Sequence, residues 1–196
     1  MLRISPVQAM SQALAAGVMF YQYRSKTGDR KSVYETSLRL ASLARDAGAT
    51  FIVNDHADLA QAVDADGVHL GQDDLPIEQA RKVLGPGKVI GISTHSLAQA
   101  REAEQQGADY IGFGPMFPTA TKDAGVTQGL ETLRIIRRSI GIPIIAIGGI
   151  THTTVTEVVR AGADGVAVIS ALLSAPDIQQ SSEDMLRIMR KSGGHS

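Results

Sequence analysis

Gly67-Val68-His69-Leu70-Gly71-Gln72-Asp73-Asp74 is the stretch that decides the fold. A short apolar run stops at a glycine and gives way to a polar cluster, as a buried strand does when it reaches the edge of its layer. The same pattern recurs along the chain. Strands are expected near Val18–Tyr23, Thr50–Val53, Gly67–Leu70, Val89–Ile92, Tyr110–Phe113, Pro143–Ile147 and Val166–Ile169. Amphipathic stretches lie between them: Val33–Ala47, Ile77–Leu84, Leu97–Gln106, Leu130–Ser139 and Thr153–Ala161. Strands and helices in alternation imply a parallel sheet covered by helices. Ile and Val on both strand faces suit a sheet buried on both sides.

An internal echo supports the repeat. Ala15-Ala16-Gly17-Val18, Ala47-Gly48-Ala49-Thr50, Gln106-Gly107-Ala108-Asp109 and Ala161-Gly162-Ala163-Asp164 each precede a strand. The glycine is expected to end the helix before it in a left-handed cap. An open doubly wound sheet would gather its ligand groups at one switch point. A (β/α)8 TIM barrel spreads them over many strand ends. Nearly every strand here ends in a polar cluster, so the fold class expected is α/β, a TIM barrel forming one domain over residues 1–196. The pattern yields about seven strands where such a barrel has about eight. Ser5-Pro6 reads as a helix N-cap followed by proline at the first helical position. The first strand is therefore expected to be mostly or wholly lacking, and the natural start is expected upstream of Met1.

Composition narrows the function. Among 196 residues, 43% are hydrophobic and 20% charged, the formal net charge is −1, and there is no cysteine. Disulfides, thiolate metal sites and a cysteine nucleophile are excluded. No basic excess supports a nucleic-acid partner, and no apolar run approaches the roughly 20 residues of a membrane span. The opening residues do not form a secretory signal. A cytoplasmic protein with small-molecule partners, neither nucleic acid nor membrane, is expected.

The strand ends carry the chemistry. Gln22, Arg24 and Lys26 place an amide, a guanidinium and an ammonium at the first, a set that suits a polyanion. Asn54-Asp55 ends the next strand, and Asp74 follows the one after. Either aspartate alone reads as readily as a helix cap. Together, beside basic groups, they suit a Mg²⁺–pyrophosphate site, with Asp73 capping a helix that starts near Pro76. Ser93 can donate to a phosphate oxygen, whereas His95 at a helix start reads as a capping or packing residue. The longest loop carries Thr119-Ala120-Thr121-Lys122, hydroxyls and an ammonium in quick succession. Gly148-Gly149 and Ser170 fall on the last two strand ends, where barrels often hold a phosphate. Two anion sites, one with a metal, imply two phosphorylated substrates or one bisphosphate.

Taken in order, Gln22-Tyr23-Arg24-Ser25-Lys26, Asn54-Asp55, His69-Leu70-Gly71-Gln72-Asp73-Asp74, Gly91-Ile92-Ser93, Phe117-Pro118-Thr119-Ala120-Thr121-Lys122, Ile147-Gly148-Gly149-Ile150 and Ile169-Ser170 resemble the motifs of the thiamine-phosphate synthase family. The resemblance runs over residues 18–174. It implies a Mg²⁺-dependent transferase of thiamine biosynthesis. Such an enzyme joins an aminomethylpyrimidine pyrophosphate to a thiazole phosphate and releases pyrophosphate, by a dissociative route. It further implies that Gln22, Arg24, Lys26, Asn54, Ser93 and Lys122, with Tyr23 and Ser25 among them, hold the pyrimidine pyrophosphate. Arg24, Lys26, Lys122 and Ser93 take the catalytic roles, and Asp55 and Asp74 bind Mg²⁺. Thr119, Ala120, Thr121, Gly149, Ile169 and Ser170 hold the thiazole phosphate.

Three rival readings remain at this stage. A thiazole tautomerase would lack the aspartate pair and the Thr-x-Thr-Lys loop. A phosphate-binding epimerase or indole-forming synthase would need an acid–base pair at the strand ends. A non-catalytic barrel could bind thiamine precursors without turning them over.

Overall fold

Each strand of the repeat starts where a helix has just been stopped, and the stop is built the same way four times. Gly17, Gly48, Gly107 and Gly162 all have positive φ, at 91°, 66°, 89° and 106°. Each donates its N–H three residues back, to Leu14, Arg45, Glu104 and Val159. The next residue donates five back: Val18 to Ala13, Ala49 to Ala44, Ala108 to Ala103 and Ala163 to Val158. That double closure is the Schellman motif. It satisfies the last carbonyls of the helix and turns the chain at once into a strand.

The computed structural model describes residues 4–118 and 126–193. Its elements are α1 (Pro6–Ala15), β1 (Phe20–Tyr23), α2 (Arg30–Ala47), β2 (Thr50–Asn54), α3 (Ala57–Ala62), β3 (Gly67–Leu70), α4 (Ile77–Leu84) and β4 (Val89–Thr94). Then follow α5 (Leu97–Gln105), β5 (Tyr110–Phe113), α6 (Gly129–Ser139), β6 (Ile144–Ile147), α7 (Val155–Arg160), β7 (Gly165–Ala167), α8 (Ser170–Leu173) and α9 (Ile178–Ser192). The fold is α/β, with strands following one another in chain order from β1 to β7 in one sheet. Pairing is parallel, with Gln22 opposite Ile52, Asn54 opposite His69, and Ile145 opposite Gly165. This is the βα repeat of a TIM barrel, with seven strands among the described residues. Among the described residues, helix α1 and no strand precedes β1. Helix α1 starts with the N-cap expected at Ser5, and the structure makes it a capping box: the Ser5 hydroxyl accepts from the Gln8 N–H while the Gln8 side chain accepts from the Ser5 N–H.

The chain packs as two compact units, Met1–Gly91 and Ile92–Ser196, dividing within β4. In the first unit, Phe51, Ile52, Val53, Val68 and Leu70 are buried, with Leu40 and Ala44 of α2. In the second, Ile111, Phe113, Ile144 and Ala146 are buried with Leu133 and Ile136 of α6. Residues of β2, β3 and β5 are almost all buried, whereas β1, at the end of the strand order, is partly open.

The N-terminal ends of the strands are tied by a second repeated device. Asp66 donates its N–H to Phe51 O at 3.0 Å, and its carboxylate accepts the Phe51 N–H at 2.7 Å. Asp164 does the same to Ile144, at 2.9 and 2.8 Å. A glycine follows each aspartate and opens the next strand; a Cβ on Gly67 would run into the Val89 carbonyl. Asp73 does not cap α4 as expected. Pro76 takes the N-cap position without a side-chain bond, because the chain is still turning at Asp73.

Candidate active site

The C-terminal ends of β1, β2 and β3 all lie in the first unit. At the end of β1, the Gln22 amide donates to Asn54 Oδ1 on β2. The Asn54 side chain is buried, and its Nδ2 is the one buried side-chain polar atom without a hydrogen-bond partner among the described residues. A buried donor left unmade costs about 1–3 kcal/mol. That deficit is recovered when an acceptor arrives.

Asp55 follows directly in the left-handed region, at φ 66°. The His56 N–H donates to Asn54 O at 2.9 Å, closing a three-residue turn centred on Asp55, whose own N–H donates to His69 O at 2.8 Å. Aspartate tolerates this conformation better than most residues. Backbone geometry, more than packing, therefore directs this carboxylate.

Asp55 meets two opposed neighbours. The Arg24 Nε lies 3.3 Å from its Oδ2, while the Asp74 carboxylate comes within hydrogen-bonding reach. Burial pushes the Asp55 carboxyl above the usual range, and the charge of Asp74 adds to that; Arg24 pulls it back only in part. Asp74 is itself fixed. Its Oδ2 accepts the Gly71 N–H at 2.6 Å, and its N–H donates to Gly71 O at 3.4 Å. Neither aspartate caps a helix: α3 is preceded by His56 without a side-chain bond. Two crowded carboxylates, one held from below by a backbone amide, form an oxygen donor pair that a hard divalent cation would relieve. Mg²⁺ typically takes only one or two protein carboxylates, so the pair fits that ion.

The rest of the first segment is less gathered. Lys26 is exposed, Ser25 turns its hydroxyl to Thr27 O at 2.6 Å, and Tyr23 is half-buried in β1.

In the second unit, Ser93 is buried in β4. Gly148 and Gly149 follow β6 with φ of 86° and 68°. A Cβ on Gly149 would stand 2.7 Å from the carbonyl oxygens of Phe117 and Pro118. The turn is thus pressed against the segment after β5, which is bonded to it through Met116 N–H to Ile147 O at 2.9 Å and Phe117 N–H to Gly148 O at 3.1 Å. Ile169 and Ser170 are exposed where α8 begins. Thr119, Ala120, Thr121 and Lys122 lie outside the described residues.

A family model described as thiamine monophosphate synthase matches residues 3–172. The chain belongs to this family.

The thiamine-phosphate synthase of Shouchella clausii is 48% identical over 188 residues, 95% of this chain and 90% of the relative. The solved structure of thiamine phosphate pyrophosphorylase from Pyrococcus furiosus superposes with a TM-score of 0.92 at 43% identity, covering 98% of this chain and 93% of that one. The 3-hexulose-6-phosphate synthase of Salmonella typhimurium superposes with a TM-score of 0.70 at 18% identity, a likeness of fold alone. Membership of the thiamine monophosphate synthase family makes the chain a transferase. Among the described residues, no helix is long and apolar enough to cross a membrane.

Sequence reasoning passed over Gly71. Its signal was present, since an aspartate three residues after a strand-ending glycine can fold its carboxylate back onto the glycine N–H. The pressing of Phe117 and Pro118 onto Gly149 had no such signal.

Proposed function

We propose that the chain joins 4-amino-2-methyl-5-(diphosphooxymethyl)pyrimidine to 4-methyl-5-(2-phosphooxyethyl)thiazole, giving thiamine monophosphate and pyrophosphate. The observation that carries this reading is the crowded Asp55–Asp74 pair, with Arg24 on one side and the orphaned Asn54 amide beside it. It supports a site for an anion with a divalent cation, in a chain of this family.

The pyrophosphate half falls to the first unit. Arg24 and Lys26 would bind the diphosphate oxygens, and Asn54 Nδ2, already buried and aligned by Gln22, would donate to the same substrate. Gln22, Tyr23 and Ser25 line this segment. Asp55 and Asp74 would hold Mg²⁺, which when bound supplies positive charge against the diphosphate oxygens. On the family resemblance, Ser93 would donate to the pyrimidine substrate. Gly149, Ile169 and Ser170 would take the thiazole phosphate through backbone N–H groups and a hydroxyl. On the family resemblance Thr119, Ala120 and Thr121 join them, and Lys122 joins the diphosphate contacts.

The chemistry asks little of acids and bases. The carbon–oxygen bond to the diphosphate breaks first, leaving its electron pair on pyrophosphate. The thiazole nitrogen then donates its lone pair to the pyrimidinylmethyl cation. Arg24, Lys26 and Lys122 stabilise the charge that gathers on the leaving group, and the protein's remaining task is to align the two rings.

The test mixes both substrates with Mg²⁺ and follows pyrophosphate and thiamine phosphate together. Stoichiometric formation of both is expected. Binding of both substrates without either product would leave a precursor-binding protein and overturn the proposal.

A further inference from the structure

His95 lies just beyond β4, and no role in the proposed chemistry falls to it. Its Nδ1 is 2.6 Å from Gly114 O. A carbonyl only accepts, so Nδ1 carries the proton and donates. The same carbonyl belongs to the residue that directly follows β5 and begins the segment over Gly149. Gly114 is gripped twice from β4: its N–H donates to Thr94 O at 3.4 Å while its carbonyl takes the imidazole. The Thr94 hydroxyl reaches Gly112 O at 3.3 Å, one residue before the end of β5.

From Gly114 the constraint passes along the backbone without a gap. A Cβ at Gly114 would strike the Ile147 carbonyl, so the segment already lies hard against the end of β6. Met116 and Phe117 then bond to Ile147 and Gly148 at 2.9 and 3.1 Å, and Pro115 O accepts the Gln128 N–H at 2.9 Å from the far side. The carbonyls of Phe117 and Pro118 finally form the wall against Gly149. Of these bonds, the His95 one is made by a side chain reaching out from a neighbouring strand end, and it acts on the residue where the segment begins.

We propose that His95 is a positioning residue for phosphate capture, fixing through Gly114 the segment 114–118 that shapes the Gly148–Gly149 turn. The inference rests on the reading that this turn holds the thiazole phosphate. A site of this kind works through backbone N–H groups, whose aim is set by the loop alone. A loop that drifts by a fraction of an ångström weakens every such bond together.

Three variants separate this role from a merely structural one. Asn carries its amide nitrogen at about the reach of imidazole Nδ1, whereas the Gln nitrogen lies one bond further out. His95→Ala and His95→Gln are expected to raise KM for the thiazole phosphate about three- to tenfold, the worth of one hydrogen bond. KM for the pyrimidine pyrophosphate and kcat should stay near wild type. His95→Asn should restore the thiazole KM. Calorimetric titration of thiazole phosphate into each protein, without the second substrate, reads the same loss independently of turnover. Equal binding by wild type, His95→Ala and His95→Gln would overturn the proposal, as would failure of His95→Asn to rescue. Normal thiazole phosphate binding by wild type without any turnover would instead count against the proposed reaction, leaving the His95 comparison readable.

Discussion

Asp164→Ala removes a carboxylate that holds two partners at the start of β7. One is the Ile144 N–H, at 2.8 Å, on a residue with no exposed surface. The other is Arg137, whose Nη1 lies 2.8 Å away in a pair that is half open to solvent on the aspartate side. Leaving a buried N–H unmatched costs about 1–3 kcal/mol, while a solvent-exposed ion pair contributes about 0–1 kcal/mol. The sum is about 1–4 kcal/mol, which in a chain of this size lowers Tm by roughly 2–16 °C. Asp164→Asn keeps an acceptor for Ile144 and should lose about half as much. Thermal unfolding followed by far-UV circular dichroism measures both. Because Asp164 stands at the N-terminal end of its strand, kcat/KM at 25 °C should remain within about twofold of wild type. A Tm change below about 1 °C in the alanine variant would refute the assignment of that buried bond. A large loss of kcat in a fully folded variant would refute the separation of stabilising and reacting ends.

Asp55→Asn keeps the left-handed turn and removes the charge. It should abolish Mg²⁺-dependent pyrophosphate release by about a hundredfold or more while Tm of the metal-free protein holds or rises. The sign follows from the raised carboxyl of Asp55. A raised folded-state value means the charged form opposes folding, so metal-free wild type should gain stability as pH falls from above that value toward the ordinary carboxylate range; Asp55→Asn should lack that gain in denaturant midpoints measured across pH. Gly149→Ala places a Cβ 2.7 Å from two carbonyl oxygens at φ 68°. It should cost at least ~1–2 kcal/mol from the backbone conformation alone and raise KM for the thiazole phosphate more than for its partner. Equal effects on both substrates would sink that reading of the turn.

Most of the framework could be read from hydrophobic pattern because the strands are short, apolar and stopped by glycine. Gly67–Leu70, Tyr110–Phe113 and Ile77–Leu84 fall where expected, and the others shift by a residue or a few. Helices α3 and α8 escaped notice for physical reasons, whereas α9 was passed over. Helix α3 is six residues, half of them alanine, and α8 is a single turn. Helix α9 buries Ser182 and Ser192 along with Ile178 and Met185, and these two serines donate to the preceding turn's carbonyls. Its apolar residues Ile178, Met185, Leu186 and Met189 nevertheless fall at helical spacing behind the Asp177 N-cap, so this helix was legible. At the site, strand-end position brought Asp55 and Asp74 forward as candidates. Their crowding, the unmet Asn54 donor and the bond from His95 to Gly114 depend on backbone turns that residue identity alone does not announce.

The turn at Asp55 has a consequence for how this position can be altered. Its aim is encoded in the main chain and its charge in the side chain, so a saturation library there separates along two independent axes. Asparagine and glycine preserve the path of the chain and vary only the donor. Glutamate preserves the donor but must pay the left-handed conformational penalty that aspartate largely escapes. Loss of function in both groups, with loss of fold concentrated among the bulky and β-branched substitutions, would show a single residue selected at once as a hinge of backbone geometry and as a charge.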